Sequence, residues 1–119
     1  WEFNFLTQPF SPARLKTALE IFVDRPEVAF AQAKLESANF TSNIWIENNN
    51  AFGMKLAKIR PTTATGENRS HATYRHWFDS VIDYMLWQDY WSSLGYDQEE
   101  MLGFYSISKN YMKAVNQLI

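Results

Sequence analysis

The acidic residue whose position suggests chemistry most clearly is Glu36, which follows an almost entirely apolar segment. Residues 28–35 are hydrophobic apart from Gln32 and Lys34. A helix that is apolar on nearly every side is usually buried, so a carboxyl at its end loses hydration. Desolvation raises the pKa of a carboxyl group, and the partial negative charge of a helix C-terminus acts in the same direction. A carboxyl that keeps its proton near neutral pH can protonate a leaving oxygen.

Position alone leaves two interpretations of Glu36 open. One is a proton donor for bond cleavage, and the other is a solvated carboxylate paired with a neighbour such as Lys34. The elements around Glu36 must therefore decide between these two interpretations.

Local signals predict several helices and one small β-hairpin. Ser11-Pro12 is typical of an N-cap followed by proline at the first helical position, and Asp97 with Glu100 resembles a capping box. Gly66 marks the expected hairpin turn, with β-forming threonines before it. The predicted helices cover residues 12–23, 26–37, 44–46, about 80–91 with its cap at Asp79 or Ser80, a short stretch after Asp97, and 109–119; the hairpin lies within 61–73.

This pattern predicts the fold class. The length of 119 residues is that of one domain, spanning residues 1–119. Helices interrupted by a single hairpin indicate an α+β fold that is mainly helical. The arrangement resembles that of lysozyme, with a small β-hairpin lobe beside a helical body.

Composition excludes several classes of function. The net charge is −2 and no basic block is present, so nucleic-acid binding has no electrostatic support. No apolar run approaches the roughly 20 residues that cross a bilayer, so no transmembrane segment is expected, and no signal peptide is recognisable at the start. The absence of cysteine excludes disulfides, thiol nucleophiles and thiolate metal sites.

Aromatic residues are frequent for a chain of this size. The sequence contains 5 Trp, 6 Tyr and 9 Phe. We expect some to line a groove, because a flat apolar ring with polar edges suits a sugar, and others to fill the core. The two histidines, His71 and His76, lack the carboxylate spacing of a metal site. We interpret them as groove or surface residues and expect no metal and no cofactor.

Four motifs in one order carry a resemblance to a known family. They are AQAKLES at 31–37, continuing to Ser42; NNAFGMK at 49–55; Tyr74, Phe78, Ser80 and Asp83-Tyr84; and the stretch at 105–111. The first two resemble the AQAxLES…S and NNLFGIK motifs of glycoside hydrolase family 73. The third resembles the segment that leads into that family's later helices, and the fourth its YATDPxY stretch. This is the glucosaminidase family of bacterial autolysins and flagellar muramidases.

The resemblance implies an endo-β-N-acetylglucosaminidase that hydrolyses peptidoglycan or a related glycan containing N-acetylglucosamine. Glu36 matches the family's general acid, which protonates the glycosidic oxygen. The second carboxylate comes from the β lobe in the family; Glu67 is the best match, with Asp79 and Glu47 as alternatives. Tyr105 matches a tyrosine that would bind substrate or stabilise charge at the reacting carbon. Substrate contacts are expected from Asn49, Asn50, Phe52, Tyr74 and Tyr111.

Several of these residues also have a structural interpretation. Glu67 could be an ordinary solvated turn residue, and Tyr105 could serve packing. Asn49 and Asn50 lie at a turn, where asparagine side chains satisfy local backbone groups. Phe52 is expected beneath Glu36, where its ring would exclude water.

The chain departs from the family pattern by three replacements. Directly after Ser37, Ala38 replaces a glycine and Asn39-Phe40-Thr41 replaces an aromatic–glycine pair. In the C-terminal motif, Ser108-Lys109 replaces Asp-Pro. None of these changes removes a proposed catalytic group. The first is expected to reshape the cleft wall beside the acid.

Three mechanisms are compatible with the resemblance. Retention needs two carboxylates about 5 Å apart, inversion needs about 6.5–9.5 Å, and a substrate-assisted route uses the N-acetyl group of the sugar itself. A non-catalytic glycan-binding module and a lytic transglycosylase or muramidase on the same fold are the competing hypotheses. We expect a monomer that is secreted, periplasmic, cell-wall associated or delivered by a phage particle, as an endolysin is.

Overall fold

The computed structural model describes residues 5–102, 104 and 109–119, without the side chains of Leu6, Gln98, Leu102 and residues 109–112. In chain order it contains helices α1 (Pro12–Phe22), α2 (Pro26–Glu36) and α3 (Asn43–Asn48), strands β1 (Gly66–Asn68) and β2 (His71–Thr73), and helices α4 (Trp77–Ser93), α5 (Gln98–Leu102) and α6 (Lys109–Gln117). The two strands pair antiparallel. This architecture confirms the predicted α+β, mainly helical fold.

Two helix starts follow the local signals in the sequence. Ser11 caps α1, since its hydroxyl oxygen accepts the Arg14 N–H at 3.0 Å. Asp97 and Glu100 form the predicted capping box: Glu100 Oε1 accepts the Asp97 N–H at 3.1 Å, and Asp97 Oδ1 accepts the Glu100 N–H at 2.9 Å. Each side chain satisfies a backbone donor that the first helical turn leaves without a partner.

Helix α4 forms the centre of the core. It packs against α1, which also contacts α2, and α2 in turn contacts α6. Val81 and Tyr84 of α4 are fully buried in one cluster with Leu15 and Leu19 of α1. This packing fixes α2 and α4, the two helices that position the candidate site.

The start of α4 differs from the prediction. The helix begins at Trp77 with His76 as its N-cap, so the expected cap at Asp79 or Ser80 is wrong. His76 Nδ1 accepts the Phe78 N–H at 3.1 Å, and Nε2 lies 2.9 Å from the carbonyl oxygen of Gln8. Because a carbonyl only accepts, Nε2 carries the proton. Both ring nitrogens of the half-buried His76 therefore hold the start of α4, a structural role that the interpretation of His76 as a groove or surface residue did not include.

The hairpin turn also lies elsewhere than predicted. Gly66 is a strand residue opposite Thr73, and the turn is formed by Arg69 and Ser70, whose φ angles are +55° and +63°. Two successive residues with positive φ are typical of the type I′ turn of two-residue hairpins. The turn therefore lies three residues after Gly66, and Gly66 itself begins strand β1.

Candidate active site

Glu36 is the last residue of α2 and is half-buried. The chain turns away immediately after it, because the Ser37 hydroxyl donates to the Ala33 carbonyl at 2.6 Å and accepts the Phe40 N–H at 2.8 Å. Lys34 extends toward α6, where its ammonium group donates to the Leu118 carbonyl at 3.3 Å. The carboxyl of Glu36 is thus held at the edge of the core.

A buried polar pair fixes the helix that carries Glu36. Gln32 lies four residues before Glu36, on the same side of α2, and is fully buried. Its Oε1 accepts a hydrogen bond from the Tyr84 hydroxyl of α4. Because a buried amide without partners is costly, this bond favours one placement of the end of α2 against α4.

Three consecutive asparagines shape the loop that faces α2. Asn48 Nδ2 donates to the Asn68 carbonyl at 2.9 Å and so ties α3 to the hairpin. Asn49 ends α3 with a φ of +54°, and its side chain donates to the Tyr74 carbonyl at 3.1 Å. All three side chains hold backbone in place.

Asn50 does most to fix this loop. Its Nδ2 donates to the carbonyls of Met54 at 2.8 Å and Ala72 at 3.0 Å, and its Oδ1 accepts the N–H groups of Phe52 at 3.3 Å and Met54 at 3.1 Å. The four bonds use the donors and acceptor sites of one amide. The residue between Phe52 and Met54 therefore has a defined position.

That residue is Gly53, and it lies against Glu36. Its φ is +63°, which glycine adopts without a steric penalty. A Cβ atom at this position would lie 2.7 Å from Glu36 Oε2 and 3.4 Å from Glu36 Cδ. The sequence thus places a residue without a side chain where the carboxyl needs the space.

Gly53 also lines a groove of about 300 Å³. One wall is formed by residues of the segment 53–60, and the other by Trp87, Tyr90 and Trp91 of α4, and Phe104 also lines the groove. The walls are rich in aromatic rings, as a sugar-binding groove requires. Through Gly53, the carboxyl of Glu36 is adjacent to this groove.

The other predicted carboxylates lie in three different environments. Glu67 is exposed on β1, opposite Ala72. Glu47 forms an exposed ion pair with Arg69, with Oε2 and Nε 2.5 Å apart. Asp79 is half-buried in the first turn of α4, and burial raises the pKa of its carboxyl despite the opposing charges of His76 and Arg75.

A buried charged network that was not predicted from the sequence lies beside the groove. Asp83 is fully buried, and its Oδ1 accepts hydrogen bonds from Arg60 Nη1 at 2.6 Å and the Thr62 hydroxyl at 2.7 Å. Its Oδ2 accepts the Tyr74 hydroxyl. Burial, followed by the neighbouring Asp83 charge, raises the pKa of Tyr74, so the phenol stays neutral and donates.

A sequence signal for this network existed. Asp83 interrupts an otherwise apolar stretch from Val81 to Met85, and a carboxylate on the buried face of a helix requires a partner. The partner, Arg60, could not be chosen from the several basic residues of the chain. The network joins the segment 60–62 to α4, and so connects the two walls of the groove.

Three of the predicted substrate-binding residues are buried. Asn50, Phe52 and Tyr74 have exposures of 1%, 0% and 4%, so their side chains shape the site from within, and their contact with a glycan stays a prediction. The Phe52 ring packs on Tyr84, with centroids 4.6 Å apart. Asn49 is half-buried and bonded to backbone.

The side chains of two predicted site residues, Tyr105 and Tyr111, lie outside the part of the chain that the structure describes. Tyr105 lies outside the described residues, and Tyr111 lies in α6 with its side chain outside them. In residues 5–102, 104 and 109–119, no three histidine or acidic side chains come together as potential metal ligands. Within the same ranges, no helix has the length and apolar character that a membrane span requires.

The departure from the family pattern after Ser37 has a backbone consequence. Ala38, Asn39 and Phe40 have φ angles of +50°, +55° and +64°, a left-handed conformation that costs a residue with a Cβ roughly 1–2 kcal/mol. Packing of the Phe40 ring against Trp45, with centroids 5.7 Å apart, helps to hold the turn. A glycine at position 38 would adopt this conformation without that cost.

We therefore expect Ala38→Gly to raise the free energy of unfolding. The relief of left-handed strain exceeds the added entropy of the unfolded chain, for a net gain of about 0.5–1 kcal/mol. Urea denaturation measures it. Asn39→Gly is the matched control and should gain less, because asparagine tolerates this region. A lower free energy of unfolding for Ala38→Gly would contradict the strain argument.

A carboxyl beside an aromatic groove, on a mainly helical α+β domain, is the arrangement of a glycoside-cleaving enzyme. A family model described as Glucosaminidase, mannosyl-glycoprotein endo-beta-N-acetylglucosaminidase, matches residues 14–119. The chain therefore belongs to this glucosaminidase family and is of the glycoside hydrolase type. Comparison with curated proteins and with solved structures gave no significant match.

Proposed function

We propose that the protein hydrolyses the β-1,4 bond after N-acetylglucosamine in peptidoglycan, with Glu36 as the general acid. The observation that carries this proposal is the close approach of the Glu36 carboxyl to Gly53, a residue of the groove wall. Membership of the glucosaminidase family supports the reaction class. The proposal implies action at the bacterial cell wall.

The residues suggest how the bond would break. A glycan lying in the groove over Gly53 brings a glycosidic oxygen to the Glu36 carboxyl. Transfer of the proton from Glu36 to this oxygen lets the sugar leave as an alcohol, while positive charge develops at the anomeric carbon. Attack on that carbon then comes either from a water molecule activated by Glu67 or from the N-acetyl oxygen of the bound sugar, and in the second route water then opens the resulting cyclic intermediate to complete the hydrolysis.

The identity of the new sugar ends tests the proposal. Purified insoluble peptidoglycan is incubated with the protein, the products are reduced, and the new reducing ends are identified by mass spectrometry. We expect reduced N-acetylglucosamine. N-acetylmuramic acid ends would make the protein a muramidase, and an anhydro sugar, lighter by one water, would make it a lytic transglycosylase. Binding without cleavage would support a glycan-binding module.

Gly53→Ala should reduce activity far more than it destabilises the protein. The new Cβ would displace the terminal atoms of a flexible side chain, so the fold tolerates it apart from roughly 1–2 kcal/mol of left-handed strain. Displacing the Glu36 carboxyl by about 1 Å is expected to lower the rate on the order of 100-fold. Hydrolysis of cell wall and thermal unfolding are measured on the same sample.

Gly95→Ala is the matched control for this substitution. Gly95 has a φ of +95°, and a Cβ there would meet nothing within 4 Å. This variant should suffer backbone strain but retain hydrolysis at temperatures where it is folded. Equal activity of the Gly53 and Gly95 variants would show that the Glu36 carboxyl does not depend on the space at Gly53.

A further inference from the structure

The groove is bordered on its α4 side by a group of aromatic rings that the rest of the protein covers only in part, although one of them, Trp91, also packs against the core. Trp91, Tyr96 and Phe104, here called the distal shelf, contact one another. Their ring centroids lie 4.7 Å apart for Trp91 and Phe104, 5.1 Å for Tyr96 and Phe104, and 5.6 Å for Trp91 and Tyr96. Trp91 and Phe104 line the same groove as Gly53.

These rings are more exposed than packing would explain. Tyr96 and Phe104 are 38% and 45% exposed. By contrast, Trp87, which lies one helical turn before Trp91 on α4, is only 8% exposed. Large apolar side chains gain free energy from burial, so a cluster of partly exposed rings bordering a groove is suited to a ligand. On the opposite wall Ile59 is 69% exposed, and it gives the groove a second apolar side.

The geometry of α4 sets the direction of this surface. Trp87 and Trp91 are four residues apart and therefore lie on one face, separated by about one helical turn of 5.4 Å. A turn of helix is comparable in length to one pyranose unit of a β-1,4-linked chain. Trp91 of the distal shelf thus lies about one sugar length from Trp87 along α4.

We infer that the distal shelf binds an additional pyranose ring of a β-1,4-linked, N-acetylglucosamine-containing glycan, beyond the sugars that flank the cleaved bond. The apolar face of the sugar stacks on Trp91 and Phe104, which line the groove, and the Tyr96 ring packs beside both of them. The protein then prefers long glycan chains to short fragments. This inference rests on the proposed function, because it takes the groove beside Glu36 as the substrate site.

Binding of oligomers of defined length tests the inference without turnover. The probes are β-1,4-linked N-acetylglucosamine oligomers of two to six units, measured by isothermal titration calorimetry with the Glu36→Gln variant. We expect affinity to rise with length by about tenfold once the shelf is filled. In that background Tyr96→Ala should remove this increase and leave dimer binding unchanged, while Tyr96→Phe should keep most of it.

Leu94→Ala is the matched control, because Leu94 is 57% exposed at the C-cap of α4, two residues before Tyr96, and is not one of the three rings of the distal shelf. It should preserve the length dependence. The inference is overturned if the oligomers bind without length dependence or not at all, or if Tyr96→Ala weakens every oligomer equally. Should Tyr96→Ala fail to fold, Phe104→Ala provides the same comparison.

The two proposals can fail separately. Hydrolysis of cell wall without length-dependent oligomer binding would leave the proposed function in place and remove the shelf. Length-dependent binding that Tyr96→Ala abolishes, in a protein that cuts no cell wall, would leave the shelf in place and remove the enzymatic proposal.

Discussion

Glu36→Gln is expected to reduce hydrolysis of cell wall by on the order of 100- to 10,000-fold while the fold survives. The amide has nearly the same shape as the carboxyl, so the close approach to Gly53 is kept. It has no acidic proton to give to the leaving oxygen, and the sugar must then depart as a poor leaving group. Initial rates of reducing-end release measure the effect, and circular dichroism with thermal unfolding verifies the fold.

Glu20→Gln is the appropriate control for this experiment. Glu20 is an exposed residue of α1, and it does not line the groove that contains Gly53. Glu20→Gln makes the same carboxyl-to-amide change as Glu36→Gln, but at an exposed position outside the groove. Wild-type rates for Glu36→Gln would exclude Glu36 as the acid.

The same assay distinguishes the ways in which the anomeric carbon is attacked. If Glu67 activates water, Glu67→Gln should also lose most activity, whereas a substrate-assisted reaction should keep most of it. Glu47→Gln tests the alternative carboxylate on α3. Loss of its exposed ion pair with Arg69 is worth about 0–1 kcal/mol, so a loss of most activity would assign the second catalytic role to Glu47. The anomeric configuration of the first product, followed by NMR, separates inversion from the other routes.

Features determined by neighbouring residues were predicted well from the sequence. The capped starts at Ser11 and Asp97 depend on contacts three residues apart, and such contacts form in any context that allows the helix. The predicted helix 26–37 ends within one residue of the observed α2, Pro26–Glu36. The position of the candidate acid therefore came from local chemistry, and the family motifs added its role.

Features determined by distant residues were not predicted. The hairpin turn was assigned to Gly66 because glycine favours turns, yet Asn48, some twenty residues earlier, binds the Asn68 carbonyl and helps to fix the strand register. Asn50 was interpreted as a turn or substrate residue, and its burial was not predicted, because that burial depends on how β2 packs beside it. Side-chain pairs of this kind become visible only when the chain is folded.

Asp83→Asn is expected to lower the free energy of unfolding by about 3–5 kcal/mol, the largest stability effect predicted for this protein. The side chains of Arg60 and Asp83 are 5% and 0% exposed. Neutralising Asp83 leaves the guanidinium of Arg60 buried without its counter-charge, which costs far more than the loss of one neutral hydrogen bond. Urea denaturation at neutral pH measures the change.

Tyr74→Phe gives a graded comparison within the same network. It removes the hydroxyl that donates to Asp83 Oδ2 and leaves the Arg60–Asp83 ion pair intact. The expected loss is about 1–3 kcal/mol, that of one buried hydrogen bond. A loss for Tyr74→Phe equal to that for Asp83→Asn would mean that the ion pair contributes little.

A double substitution separates the cost of breaking the pair from the value of having it. Arg60→Met combined with Asp83→Leu removes both charges and keeps apolar volume, and such replacements are often neutral or stabilising. We expect the double variant to regain most of the stability lost in Asp83→Asn, short of the bonds that Thr62 and Tyr74 make to the carboxylate. Because Arg60 lines the groove, a stable double variant with weakened glycan binding would show that the pair serves to hold the wall opposite α4. Unchanged binding would assign the pair to stability alone.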